Sequence, residues 1–361
     1  MEQAKEHIRN WWSGSLNLSD LGLTELPEIP AGVTRLDCKR NQLTSLPDTL
    51  PETLTELYCD NNQLLSLPAT LPSGIRVMSC GYNRLTRLPD SLPAGLTELY
   101  CSYNRLTRLP DTLPAGLRDL YCDNNQLLSL PDTLPSGMRH LSCGNNLLLS
   151  LPDTLPSGIR ELSCGYNRLT TLPATLPTGL RLLVCNDNQL LSLPDSLPAG
   201  LRRLHCCDNL LMTLPDTLPT GLIYLKCYHN RLTRLPDTLP AGLTELNCYY
   251  NQLTMLPETL PAGLTTLCCY HNQLTTLPDT LPAALTTLYC HSNNFPDHEY
   301  EEPIPVYVAR VKAIADAKAE AVSKERIVAR CALYFEELAK TVWHPQRVER
   351  LMMAGVDMED M

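Results

Sequence analysis

The chain has 361 residues, with 29 Lys and Arg against 39 Asp and Glu, a formal net charge of −10. That excess of negatives argues against nucleic acid as a partner, because phosphate binding depends on neutralising Lys and Arg. Hydrophobic residues make up 43%, ordinary for a folded protein, and no run of about 18 apolar residues is present to cross a bilayer, so no membrane insertion is expected.

The first predicted element is a short helix over residues 2–12. The opening stretch, MEQAKEHIRNWWSG, lacks the apolar core of a secretory signal. Ile8, Trp11 and Trp12 are placed to cover the exposed edge of the repeats that begin at Leu16, so residues 1–15 are expected to form an N-terminal helical cap.

From Leu16 to about residue 297 the chain repeats with a period of 21 residues. Asparagine recurs thirteen times in phase, from Asn41 and Asn62 to Asn293, and thirteen of the 16 cysteines stand three residues before these asparagines, from Cys38 to Cys290. A degenerate first copy, SLNLSDLGLTELP, carries Leu18 and Leu21 in place of Cys and Asn. That makes about 14 repeats.

One unit, LTELYCDNNQLLSLPATLPSG, runs from Leu54 to Gly74. Leu57 and Cys59 alternate with Glu56, Tyr58 and Asp60, which predicts a strand with one buried face. Asn62 stands where the chain must turn; its amide is expected to bond backbone groups of its own turn and of the next repeat. Leu64, Leu67 and Leu71 point inward from a return segment that Pro68 and Pro72 keep extended rather than helical. Gly74 eases the turn into the next strand, but Thr53 and Ala284 fill that slot elsewhere, so positive φ is not required there. A single unit cannot bury its flat faces, so stability grows with stacked copies and both ends need caps. Strands need more room than the thin backs, so the strand face should be concave.

After Phe295-Pro296 the chain changes character, and residues 298–361 are expected to form a C-terminal helical region. His298-Glu299-Tyr300-Glu301-Glu302 reads as an acidic linker stopped by Pro303 and Pro305. Residues 306–344 lack Gly and Pro and predict helix, with one apolar stripe of Val308, Val311, Ile314 and Ala315. Ser323 is a plausible N-cap and break. A second stripe comes next, of Ile327, Cys331, Tyr334, Phe335, Leu338 and Val342. Pro345 opens a third short helix, VERLMMAG, closed by Gly355. Capping of the last repeat is the favoured role; docking on a partner or self-association fits the same stripes.

The cysteine ladder is read first as a small-residue core, because free Cys is among the most buried side chains. Disulfides between rungs are disfavoured, since in-register parallel strands hold the Cβ atoms apart. Zinc sites show close Cys pairs rather than a spacing of one repeat. Alternation sends Cys207 and Cys268 outward as exposed thiols. A thiol-rich unpaired core fits a reducing compartment, the cytoplasm.

Outward strand positions fall into three zones. The first is basic: Arg35, Lys39 and Arg40. The second is acidic and aromatic: Glu56, Asp60, Glu98, Asp119, Asp123 and Glu161 among Tyr58, Tyr82, Tyr100, Tyr103, Tyr121 and Tyr166. The third is aromatic and histidine-rich: Tyr224, Lys226, Tyr228, His229, Tyr249, Tyr250, Tyr270, His271, Tyr289 and His291. Twelve of the 15 tyrosines occupy strand-side positions. Tyrosine suits strands in general, but its concentration in the last five repeats points to a partner-binding surface, where tyrosine is over-represented. His229, His271 and His291 sit at unequal strand positions, which disfavours a metal site. No catalytic triad or phosphate loop is legible, and no cofactor is expected.

The skeleton L-x-x-L-x-C-x-x-N-x-L-x-x-L-P resembles the leucine-rich repeats of bacteria, whose short units of about 20–22 residues end in Leu-Pro. Secreted effectors of bacterial pathogens carry such units, and the variant with Cys before Asn, as in LYCSYN, also resembles repeats of uncharacterised bacterial and large-virus proteins. The resemblance covers residues 16–295 and implies an α/β solenoid: a horseshoe with a parallel sheet on the concave face, extended convex segments and a C-terminal helical segment. One effector branch adds a ubiquitin-ligase domain with a Cys-x-Asp nucleophile. Here 68 residues follow Asn293, and Cys331-Ala332-Leu333 lacks the Asp, so ligase activity is not carried over. The expectation is a non-enzymatic scaffold that binds a partner protein, an effector or host-interaction protein. It is expected to be monomeric, in the cytoplasm or, if exported, the host cytoplasm. The alternative is a ligase-like effector or self-assembling scaffold acting through the C-terminal helices.

Overall fold

The computed structural model describes residues 1–297 and 302–342, with the side chains of 334–342 outside the description. Helix α1 (Glu2–Asn10) precedes β1 (Gly14–Asn17) and β2 (Val33–Asp37). Twelve three-residue strands come next, from β3 (Glu56–Tyr58) to β14 (Thr287–Tyr289), and α2 (Ile304–Val342) ends the described chain. The fourteen strands form one parallel sheet in sequence order; β1 pairs with β2 through a register shift at Gly14–Ser15, and from β2 on each strand pairs in phase with the next, Leu36 opposite Leu57 and Leu57 opposite Met78. The fold is a leucine-rich-repeat solenoid with its sheet on the concave face and extended segments on the convex side.

The strands are short because the alternation lasts only three residues, but the backbone ladder continues beyond them. Cys59 N–H donates forward to Ser79 O at 2.8 Å, and Asn61 N–H to Gly81 O at 3.0 Å; after the turn Gln63 N–H donates back to Leu43 O at 2.8 Å. Leu54, Leu57, Cys59, Leu64 and Leu67 are buried between coils, and Leu71 packs against them half-buried. On the convex side the second proline of each pair opens a tight turn, with Ile75 N–H donating to Pro72 O at 3.2 Å. Gly74 sits in this turn without positive φ, which is why Thr53 and Ala284 are tolerated.

The left-handed residue lies elsewhere. It is the one before each asparagine, or its counterpart Asp20 in the first copy, fourteen positions in all, with φ of +49° to +59° and never glycine. Asp, Asn and His enter this region with moderate strain, but Tyr82, Tyr103, Tyr166 and Tyr250 are bulky residues for which it is an outlier. The asparagine that follows holds the turn. Asn62 Nδ2 donates to Cys59 O at 3.1 Å and Asp60 O at 3.2 Å in its own turn, and to Cys38 O at 3.0 Å. Its Oδ1 accepts from Leu43 N–H at 3.0 Å. The expected bond to the next repeat is therefore corrected: the amide reaches back to the preceding coil, whose carbonyl and N–H lie within the turn.

All thirteen ladder cysteines are buried and free. Cys38 Sγ donates to Tyr58 O at 3.4 Å and Cys122 Sγ to Ser142 O at 3.3 Å. Burial pushes the Cys38, Cys101 and Cys164 thiols up to about 12 and raises the other ladder thiols above their ordinary value.

At the N-terminal edge Ala4 of α1 is buried, and Ile8 and Trp11 pack half-buried on the core. Trp12 does not join them: it is 88% exposed, because the chain turns extended at Trp11 to enter β1. At the other edge Tyr307, Val308 and Val311 of α2 cover β14, and the Tyr307 hydroxyl donates to Pro296 O at 3.0 Å and lies 3.3 Å from Cys290 Sγ. Lys312 pairs with Asp279 at 2.7 Å.

Two expectations for this region are overturned. The helix does not wait until after Pro305: α2 starts at Ile304 and Pro305 sits in its first turn, where a missing N–H costs nothing. Ser323 does not break the helix, because flanking Ala, Lys and Glu outweigh the small helix cost of one serine. Val322, Ile327, Val328, Cys331 and Leu333 face solvent, so only the first turns of α2 cap the solenoid. The acidic linker at 298–301, the third helix at 345–355 and the side chains of Tyr334, Phe335, Leu338 and Val342 lie outside the described residues.

Candidate functional site

Because the period carries every side chain onto its counterpart one strand away, like residues form columns along the concave face. The column just after the ladder cysteine reads Tyr228, Tyr249, Tyr270 and His291, and the next, the left-handed position, reads His229, Tyr250 and His271. In the first column the rings stack at 4.4, 4.4 and 4.6 Å with interplanar angles of 6°, 7° and 19°. In the second, His229–Tyr250 and Tyr250–His271 stack at 4.3 and 4.2 Å. Edge contacts join the columns, such as His229–Tyr249 at 5.8 Å and 85°. Seven rings thus form one two-column aromatic ladder, and the strained backbone at φ near +50° is what turns the second column's rings alongside the first.

The first column begins on Cys207. This thiol, expected to be exposed, is only 3% exposed, with Tyr228 one coil on in the same column. Interaction with the neighbouring Cys207 thiol, ahead of burial, raises the Tyr228 phenol, while burial pushes Tyr249 up to about 12. Cys268 is half-buried rather than exposed, flanked in its column by Asn247 and Tyr289. Asp208 lies 4.0 Å from His229, and burial raises its carboxyl.

Three residues expected in this surface stand apart from the ladder. Tyr224 packs under the Arg203 guanidinium at 5.2 Å. Lys226 pairs with Glu245 at 3.6 Å. Tyr289 is 54% exposed on the last strand and takes no part in the ring contacts among the described residues.

Toward the N-terminus the basic zone is neutralised. Arg35 pairs with Glu56 at 2.7 Å, Lys39 with Asp37 at 3.4 Å and Arg40 with Asp20 at 3.9 Å. Tyr82–Tyr103 and Tyr100–Tyr121 stack at 4.2 and 5.0 Å. His140 bonds Asp119. Asp60 accepts from Ser79 Oγ at 2.5 Å and Gly81 N–H at 3.1 Å, and burial raises its carboxyl. A hollow of about 550 Å³ opens at these repeats, lined by Tyr58, Asp60, Val77, Ser79, Glu98 and Tyr100 among others.

No protein-family model matches the chain, and no curated protein matches its sequence. Solved structures do. YopM from Yersinia enterocolitica aligns at 37% identity and a TM-score of 0.74 over 81% of this chain and 62% of that one. YopM from Yersinia pestis, a leucine-rich effector protein, aligns at 33% and 0.69 over 81% and 86%. The functional domain of InlJ from Listeria monocytogenes, which includes a cysteine ladder, aligns at 30% and 0.57 over 61% and 49%. The chain thus spans under two thirds of the length of the Y. enterocolitica protein.

Proposed function

We propose that this chain, which belongs to the leucine-rich-repeat family with the short unit of bacterial effectors, is a non-enzymatic scaffold that holds a partner protein on its concave face. The observation that carries this reading is the seven-ring ladder from Tyr228 to His291. Its faces are stacked on one another, so ring edges, hydroxyls and imidazole nitrogens are what a partner meets. Stacked rings have already lost their rotamer freedom, so they offer a rigid surface with little ordering cost on binding. Tyr224, Lys226 and Tyr289 form its margin. The likeness to YopM supports an effector or host-interaction role, and thirteen buried free thiols fit a reducing compartment such as the cytoplasm, host cytoplasm included.

The test is capture of partner proteins by full-length chain carrying alanine at Tyr228, Tyr249 and Tyr270. Capture should fall at least ten-fold, since removal of central hot-spot residues typically costs about 2 kcal/mol or more, with circular dichroism unchanged. Undiminished capture by the folded variant places the partner elsewhere.

A further inference from the structure

The second outward column of the strands reads Tyr58, Ser79, Tyr100 and Tyr121 in successive coils. Tyr100 and Tyr121 stack at 5.0 Å and 10°, the ordinary spacing of adjacent rungs. Ser79 interrupts the series. Tyr58 and Tyr100 stand two strand spacings apart, about 9–10 Å, with a hydroxyl where a ring would be. Val77 and Gly81 flank that serine on the same coil, so nothing large fills the gap, and the hollow of about 550 Å³ is the result. It is one planar group thick.

Its charge is negative. Four carboxylates line it, of Asp20, Asp37, Asp60 and Glu98, against two cations, Lys39 and Arg40, both of them held by Asp37 and Asp20. Asp60 Oδ2 is buried with no hydrogen-bond partner, an arrangement that is costly unless a charge of opposite sign comes close.

The chain itself shows what such a place accepts. Arg35 lies 4.4 Å over the Tyr58 ring and 2.7 Å from Glu56, whose same oxygen also accepts from the Tyr58 hydroxyl at 3.0 Å. Glu98 and Tyr100 repeat that pair two coils on, hydroxyl to carboxylate at 2.9 Å, with Val77 in register where Arg35 stood. The second pair lacks its arginine. We propose that the hollow above Ser79 is a receptor for the guanidinium of a partner's arginine, which enters between Tyr58 and Tyr100, donates to Glu98 and is balanced from below by Asp60. A guanidinium is flat enough to complete the ring series and brings a charge and donors to Glu98, while the lining cations Lys39 and Arg40 are held by Asp37 and Asp20. An ammonium has the charge without the plane, and an aromatic ring the plane without the charge. The site is separate from the C-terminal ladder and does not depend on it.

Calorimetric titration of the full chain with a capped pentapeptide bearing one arginine between glycines tests this. Replacing the arginine by citrulline, lysine or phenylalanine should weaken binding about ten-fold in each case, since charge and cation–π stacking contribute jointly. Ser79→Tyr inserts the missing ring in a column that already holds three and should weaken binding about ten-fold in a chain that still melts cooperatively, at a temperature lowered by loss of the Ser79 bond to Asp60; Glu98→Gln should weaken binding to a lesser degree. Ser163→Tyr, four coils away in the same column, should change nothing. No binding of the arginine peptide, equal binding of the citrulline or phenylalanine peptide, or unaltered binding by Ser79→Tyr overturns the proposal.

Discussion

A single asparagine per coil settles how each turn is closed. Asn146 is buried, donates to Cys122 O, Cys143 O and Gly144 O at 3.0–3.1 Å, and accepts from Leu127 N–H at 3.0 Å. Asn146→Ala leaves several buried backbone groups unpaired and is expected to destabilise the chain by about 2–4 kcal/mol, read as a lower urea midpoint. The residue before it acts in the opposite sense. Tyr166 holds φ at +54° with its ring exposed and outside the stacks. Tyr166→Gly removes that strain and should stabilise by up to about 1 kcal/mol, or at least not destabilise; a clear loss of stability in the same urea experiment would contradict the strain. The asparagines were legible from their spacing. The left-handed position was not, because tyrosine there runs against its own preference and only the stacked ladders on either side impose it. The direction of the amide bonds was hidden too, since a period reads the same forwards and backwards.

The ladder of thiols is the element on which pH acts. Burial raises these thiols, so each stays protonated when folded while an unfolded thiol ionises near 9. A raised folded value means the contribution is complete below pH 9 and is lost as pH climbs toward about 12. Each thiol then costs about 1.4 kcal/mol per pH unit, and thirteen act together. The chain should lose its far-ultraviolet dichroism within roughly 1–2 pH units above 9, and replacement of several rungs by alanine at neutral cost should move that midpoint upward. Persistence of the fold to pH 12 would mean the thiols are not sealed. That cysteines at one repeat spacing are core residues could be read from alternation alone. The burial of Cys207 could not, because alternation gives direction and not how closely the neighbouring coils pack over a side chain.

For the whole molecule the two ends differ. Helix α1 and the first turns of α2 seal the solenoid, but α2 continues beyond its cap with Ile327 59% and Val328 68% exposed. An apolar stripe open to water on a single helix is a surface that a second copy or a partner would cover. Light scattering of the full chain should give the expected 40.3 kDa monomer; a larger mass that returns to the monomer on Ile327→Glu with Val328→Glu would assign the stripe to self-association instead. The solenoid was readable from its unbroken phase, and the ring columns emerge from that phase once like residues are stacked. The continuous helix was not, because serine marks helix starts only where the residues before it are not already helical.

The amides all lean one way. Every asparagine from Asn41 to Asn293 fastens the coil made before it. A polypeptide leaving the ribosome therefore has its newest coil without that latch until the next asparagine emerges to supply it.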